Sequence, residues 1–225
     1  MMRDIIKCCN LVKKFCSGKE FYALNDINIE IKKGEFVAVT GKSGSGKSTL
    51  MNMIGLIERP TSGDIFIDGE NIRYMSDKQL AVLRNKKIGY IFQSFHLEHL
   101  YPVFHNVEMP LLISNVPSKQ RKKRVKECLE AVGIEEKSDE LAGNLSGGEK
   151  QRVCIARALA NDPEIILADE PCGNLDSENT ENIMRILKEL NTRGKTVMLI
   201  THNMDEARMA DRIVYIKDGR IGDNG

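Results

Sequence analysis

The apolar run Phe36-Val37-Ala38-Val39 leads into Gly41-Lys42-Ser43-Gly44-Ser45-Gly46-Lys47-Ser48-Thr49, and a stretch with helical character follows at once. This is the GxxxxGK[ST] pattern in the setting it requires, strand before and helix after. The glycines let the backbone curl so that successive N–H groups point inward as an anion nest. The following helix adds its N-terminal partial charge. Lys47 sets a point charge against the β- and γ-phosphates of a nucleotide, and Ser48 offers a hydroxyl to Mg²⁺. The competing reading is a glycine-rich turn with no ligand.

A strand that ends in such a loop predicts alternating β and α elements around a parallel sheet, and the rest of the sequence agrees. Strands are expected at 26–31, 35–40, 64–68, 88–92, 164–168, 196–201 and 212–217. Helices are expected at 47–57, from Ser76 onward, and at 152–160, 176–190 and 204–210. Ser76 with Gln79 three residues on is a capping-box pattern, and Asp218-Gly219 turns into a short tail. Residues 93–160 change character to helix and loop, with prolines at 102, 110 and 117, and read as a helical insertion between two sheet strands. The 225 residues suit one domain, or one domain with a sub-domain.

Composition narrows the function. Lys plus Arg is 33 and Asp plus Glu is 32, a net charge of +1, which argues against a dedicated nucleic-acid binder. No apolar run reaches membrane-spanning length. The start, Met1-Met2-Arg3-Asp4, is broken by charge and does not read as an export signal. Cys8, Cys9, Cys16, Cys128, Cys154 and Cys172 form no CxxC or zinc-spaced set and read as reduced cytosolic thiols. The six basic residues in 119–126 read as a solvated helix face, with lipid headgroups or a partner as the alternative.

Two further motifs carry chemistry. Ile165-Ile166-Leu167-Ala168 delivers Asp169 and Glu170 at the C-terminal end of a buried strand, in the ligand crevice of an α/β sheet. Asp169 would hold Mg²⁺ and Glu170 would act as general base on the attacking water. Leu145-Ser146-Gly147-Gly148-Glu149 opens a helical run about a hundred residues after the first cradle. Ser146 and Glu149 form a capping box, and the same helix start exposes N–H groups to an anion. One nucleotide has one γ-phosphate, so a second cradle makes sense if it serves another subunit's nucleotide.

Together with Thr201-His202, these motifs resemble the nucleotide-binding subunit of ABC transporters over nearly the whole chain. The resemblance implies an α/β fold: a P-loop, RecA-like core with an N-terminal antiparallel β subdomain and an inserted helical subdomain. It implies one nucleotide-binding domain over 1–225, with 1–92 and 161–225 as core and β subdomain and 93–160 as the helical part. It implies ATP and Mg²⁺, a head-to-tail homodimer, a transmembrane permease as partner, no nucleic acid, and a place on the cytoplasmic face of the membrane.

In the family's pattern Gly41–Thr49 is Walker A and Ile165–Asp169 is Walker B. Gln93 matches the Q-loop glutamine that touches Mg²⁺, His202 the switch histidine at the γ-phosphate, and Asp176 the D-loop that crosses the dimer seam. Phe15 matches the aromatic that stacks on adenine, with Tyr22 as runner-up. Each has a bland alternative: Gln93 a strand-end polar residue, His202 a helix cap, Asp176 an N-cap. Phe95, Leu97, Leu100 and Tyr101 line a permease groove or pack into the core. His96, His99 and His105 have little acidic or thiol company for a metal.

Asn174 and the stretch 95–112, with the ending at residue 225, are similar to the branch that exports macrolides, releases lipoproteins or confers antimicrobial-peptide resistance. Three departures stand out: Lys42 for proline, Glu149 for glutamine, and Cys172 for threonine. Glu149 is expected to turn away from phosphate into its capping box. Cys172, two residues from the expected base, reads like most of the cysteines as a small buried hydrophobe, with oxidant-sensitive activity as the alternative. The competing functions are a non-transporting regulator that clamps a membrane partner and a soluble ABC protein acting on ribosomes or DNA.

Overall fold

The structure, a computed structural model, describes residues 3–17 and 19–222; Met1 and Met2, which belong to the export-signal reading, lie outside the described residues, as do the last three positions. Strands β1 (Asp4–Ser17) and β2 (Lys19–Lys32) form a long antiparallel hairpin. Ile27, Ile29 and Ile31 are buried while Asn28 and Glu30 face solvent, the period of two expected of a half-buried sheet. The register shifts between Cys8 and Leu11. There Asn10 takes φ 47° and bonds Asp26 (φ 61°) through Nδ2 at 2.9 Å, so the irregularity is a β-bulge with its own polar support.

The chain then enters β3 (Phe36–Thr40), passes the glycine loop and forms α1 (Lys47–Ile54). This helix stops at Gly55, short of the expected residue 57, because Leu56 adopts φ 57° and turns the chain. β4 (Ser62–Ile67) returns to the free side of β1, and β5 (Glu70–Asn71) completes a four-stranded antiparallel sheet in the order β2-β1-β4-β5. α2 (Asp77–Lys87) starts at Ser76 with the expected capping box: Gln79 N–H donates to Ser76 Oγ, and Ser76 N–H donates to Gln79 Oε1 at 2.8 Å.

β6 (Ile88–Ile91) and β7 (Ile165–Asp169) are parallel neighbours. All of the intervening helix and loop sits between two adjacent strands: α3 (Val103–Ile113), α4 (Ser118–Ala131) and α5 (Gly147–Leu159). Pro102 and Pro117 begin α3 and α4, where a missing N–H costs nothing. α6 (Ser177–Thr192), β8 (Thr196–Ile200), α7 (Met204–Ala207), β9 (Arg212–Lys217) and β10 (Arg220–Gly222) complete the chain. The second sheet runs β10-β9-β3-β8-β7-β6, parallel except for β10. The expected tail after Asp218-Gly219 is therefore a hairpin strand. The helix expected at 152–160 begins five residues earlier, because Ser146 caps it.

Alternate residues of the central strands feed two cores. Ile166, Ala168, Val197 and Leu199 pack with α3 to α6, and Ile165, Leu167, Met198 and Ile200 pack with α1 and the antiparallel sheet. Each such side chain contributes about 1.5–3 kcal/mol on full burial, which is why β7 reads as a continuous apolar run. The basic face of α4 is partly consumed in packing. Arg124 donates to the Leu159 and Ala160 carbonyls at 2.8 and 3.0 Å, closing the C-terminal end of α5, and Arg121 bonds Glu108 at 2.6 Å. Lys119, Lys122 and Lys123 are exposed. No described helix is long and apolar enough to cross a membrane.

A candidate nucleotide site at the strand ends

The glycine loop leaves β3 and bends back over the start of α1. Gly41, Gly44 and Gly46 take φ 149°, 75° and 104°. At Gly46 a Cβ would lie 2.4 Å from the Ala23 carbonyl, and at Gly41 it would lie 2.1 Å from the Ile216 carbonyl. β2 and β9 therefore close on the loop so tightly that only glycine fits, and the curl is fixed before any ligand binds. Lys47 is buried, and its Nζ donates to the Gly41 and Lys42 carbonyls at 2.8 and 3.0 Å, which holds the ammonium inside the nest. Ser45 Oγ is buried with no hydrogen-bond partner among the described residues, a polar atom available to an anion in the loop. Ser43 and Lys42 are exposed, and Thr49 follows Ser48 in the first turn of α1.

The acids arrive from β7, two strands away in the sheet. Ser48 Oγ lies 3.4 Å from Asp169 Oδ1. Burial pushes the Asp169 carboxyl above its usual range and Glu170 adds to this, against the pull of Ser48 and Lys47. An oxygen pair short of positive charge suits a hard divalent cation, so Mg²⁺ fits the residues present. Among the described residues no group of three or more His, Cys, Asp or Glu is arranged to hold a metal, so the remaining ligands would come from phosphate and water. His105 instead lies 3.3 Å from Glu108, the partner of Arg121.

Glu170 is the next residue, and its backbone is strained at φ 43°, a cost seen where function over-determines geometry. Its N–H donates to the Ile200 carbonyl at 2.9 Å. Gln93 Nε2 donates to Glu170 Oε2 at 3.3 Å from one side, and His202 Nδ1 lies 3.4 Å from Oε1 on the other. Gln93 follows β6 and His202 follows β8, so the strands flanking β7 on both sides each send one residue to the same carboxylate. His202 is not the cap of the following helix. Asn203 is, accepting from Asp205 N–H at 2.8 Å. Thr201 braces that turn, donating to the buried Glu206 at 2.6 Å and accepting from Asn203 N–H at 3.0 Å.

Phe15 sits on β1 directly opposite Phe21 on β2, with Lys13 Nζ 5.0 Å from its ring centroid. Tyr22 is opposite Lys14. Neighbours on a strand face opposite sides, so Tyr22 and Phe15 cannot serve one base together, whereas Phe21 shares the face of Phe15. The sequence reading did not single out Phe21, since the pairing depends on where the hairpin turns.

Ser146 to Glu149 stand apart from this cluster. The capping box is complete: Ser146 N–H donates to Glu149 Oε2 at 2.8 Å and Glu149 N–H to Ser146 Oγ at 3.3 Å. These bonds, led by the Ser146 side chain, hold the Glu149 carboxyl below its usual range, and Lys137 lies 3.8 Å away. Glu149 thus turns into its own helix start. Among the described residues no hydrogen bond joins 146–149 to the 41–49 loop. Gly147 and Gly148 pack instead against the turn after Glu170, where Asp176 caps α6.

A glycine nest at one strand end, with two acids leaving a parallel strand two places along the same sheet, belongs to the class of P-loop nucleoside triphosphatases. Within that class, the ABC transporter family model matches residues 24–173, and the chain belongs to the ABC transporter family as an ATP-binding cassette. It is 46% identical over 223 residues to the uncharacterized ABC transporter ATP-binding protein MJ0796 of Methanocaldococcus jannaschii, covering 96% of this chain and 95% of that one. It is 47% identical over 222 residues to the macrolide export ATP-binding/permease protein MacB of Vibrio parahaemolyticus, covering 98% of this chain and 34% of MacB. It therefore spans about a third of that relative. A solved dimeric structure of MJ0796 superposes with TM-score 0.90 at 44% identity over 97% of both chains. A second, of a post-hydrolysis state bound to ADP and Pi, also gives 0.90, at 43% identity and the same coverage.

Proposed function

We propose that this cassette hydrolyses ATP at a site completed by a second copy of itself, and that the cycle of closure and opening drives a membrane permease of the macrolide, peptide or lipoprotein export type. The observation that carries the reading is the suspension of the Glu170 carboxylate between Gln93 and His202, one residue beyond the Ser48–Asp169 pair.

Each chain contributes in two places. Phe15 stacks on adenine, worth roughly 1–3 kcal/mol. Backbone N–H groups of Gly41 to Thr49 hold the phosphates, and Lys47 exchanges its two loop carbonyls for phosphate oxygens. Ser48, Gln93 and Asp169 would hold Mg²⁺, which neutralises the β- and γ-phosphate charge when bound. Ser146, Gly147 and Gly148 of the second copy approach the γ-phosphate from the far side, with Glu149 directed away from it and Asp176 near the seam. Glu170 accepts a proton from water as the water oxygen bonds to the γ-phosphorus. The bond from that phosphorus to the β–γ bridging oxygen breaks, and ADP keeps its electron pair. His202 steadies the base and meets the leaving phosphate. Two phosphate-lined faces without ATP lack the charge-assisted bonds that join them, so closure follows ATP and opening follows its cleavage.

The helical part, 93–160, is the permease-facing part of the single nucleotide-binding domain on this reading. Leu100 is 86% and Tyr101 53% exposed and remain candidates for the contact. Leu97 is buried and Phe95 packs against the core, so those two are structural. The cassette would then sit on the cytoplasmic face of the membrane through its permease.

Glu170→Gln tests the base. This variant should bind ATP and dimerise while phosphate release falls at least about 100-fold, the usual worth of a general base. Turnover at the wild-type rate overturns the assignment. Substrate-stimulated translocation in vesicles with the permease separates transport from a clamp that only signals.

A further inference from the structure

Asp176 does not offer a free carboxylate. Its Oδ1 accepts from the Asn179 backbone N–H at 2.8 Å and from Asn179 Nδ2 at 3.0 Å, and its Oδ2 accepts from the same Nδ2 at 2.9 Å. The N–H bond is an ordinary helix cap. The side-chain bonds are an addition, and they orient the Asn179 amide so that its other end points at α5. A Cβ built on Gly148 would lie 1.9 Å from Asn179 Oδ1 and 2.3 Å from its Cγ. Beside it, a Cβ on Gly147 would meet Leu175 at 3.5 Å. The two glycines therefore lie against the start of α6 in the same chain, and Gly148 is buried by that contact. A larger residue at 148 is accommodated only if the Asn179 amide swings away, and that swing breaks both of its bonds to Asp176.

We propose that Asn179 is a positioning residue that locks the start of α5, Ser146–Gly148, to the Asp176 turn within one chain, so that both segments reach the second copy's nucleotide as a single rigid unit. The proposal rests on the two-copy reading above. It gives Gly148 a second reason to be glycine, independent of phosphate approach. The side chain of Asn179 bonds Asp176 and abuts Gly148, so it acts through the helix start and the turn that it joins.

The test uses the full chain in the Glu170→Gln background, where the proposed function expects ATP-driven dimers to persist, with sedimentation reading association and a fluorescent ATP analogue reading nucleotide affinity. Adding Asn179→Ala should raise the protein concentration needed for ATP-dependent dimerisation about tenfold, the range of couplings between contacting residues. Analogue affinity of the single chain should change less than about twofold, the limit expected of a site that shares no partner with Asn179. Gly148→Ala should weaken dimerisation further, and Asn179→Ala added to it should recover part of the loss, because the obstructing amide is gone. Asn179→Asp keeps the shape but sets two carboxylates together, and should behave like Asn179→Ala even if one of the pair folds poorly. A merely structural role would lower the melting temperature and leave ATP-dependent association intact. Dimerisation equal to that of Glu170→Gln alone, or no recovery of Gly148→Ala by Asn179→Ala, overturns the proposal. A Glu170→Gln variant that stays monomeric with ATP overturns the two-copy reading and this proposal with it.

Discussion

Cys172 lies two residues beyond the proposed base, a position that sets oxidant sensitivity as the alternative to a small buried residue. The residue is 5% exposed and, with Glu170, lines a cavity of about 440 Å³. Burial, then the Glu206 carboxylate, push its thiol up to about 12, which withholds the reactive thiolate. Cys16 is exposed on the hairpin. Iodoacetamide at pH 8 should therefore label Cys16 and spare Cys172 in the folded protein, with ATP turnover unchanged for as long as Cys172 is spared; peptide mass spectrometry reads the outcome. Labelling of both at one rate would contradict the burial. At this scale Lys47, Ser48, Asp169 and Glu170 were legible as candidates, because phosphate and proton chemistry constrain residue type at fixed spacing. The environment of each was not. That Gln93 and His202 flank one carboxylate depends on strands β6 and β8 both neighbouring β7, and strand order is written nowhere in local sequence.

Helices α2 and α5 start with the same device: a serine N-cap, reciprocal bonds to residue N3, and a 2.8 Å bond from the serine N–H. Their sequences announce it equally well, and the proposed function gives a further role only to the second. Ser76→Ala should cost about 1 kcal/mol in urea unfolding with ATP turnover unaffected. Ser146→Ala should cost a similar amount and also lower turnover, while single-chain nucleotide binding holds. Equal loss of binding and turnover would make Ser146 a cap and nothing more. Elements were legible where periodicity was strong, as in β7, or where a cap was explicit, as in α2. They were misjudged at ends decided by neighbours. α1 stops early because the backbone reverses at Leu56. β10 forms because β9 offers it an edge, and three residues of weak pattern cannot show that in advance.

The two layers of the molecule are tied by charge as well as by the core. Glu164, just before β7, accepts from Lys33 at 2.6 Å and from Lys87, while Lys87 also bonds Asp68 at 2.9 Å in the turn between β4 and β5. Hydrogen bonding to Lys33 and then Lys87 holds the Glu164 carboxyl at about 2, below its ordinary 4.5. A carboxyl depressed in the folded state contributes stability that is fully present above its unfolded pKa and is lost as pH falls through its folded one. Glu164→Gln should therefore cost about 1–2 kcal/mol at pH 7, a partly exposed pair being discounted for screening. The cost should shrink as pH falls from about 5 toward 2; urea unfolding at several pH values measures it. A cost independent of pH would assign the loss to packing.

The sequence by itself determined the chemistry this chain brings: a phosphate nest, a lysine, a hydroxyl, two acids and a second capped helix start. Each is a short contiguous pattern whose atoms must lie within a few bonds of one another, so the order of residues suffices. Only the tertiary structure decided which of these meet. It gathers the first five at the ends of strands from distant parts of the chain, turns Glu149 into its own helix, and presses Gly148 against Asn179. Such contacts arise from strand order and close packing, which are settled by burying both faces of one sheet at once and not by any local run of residues.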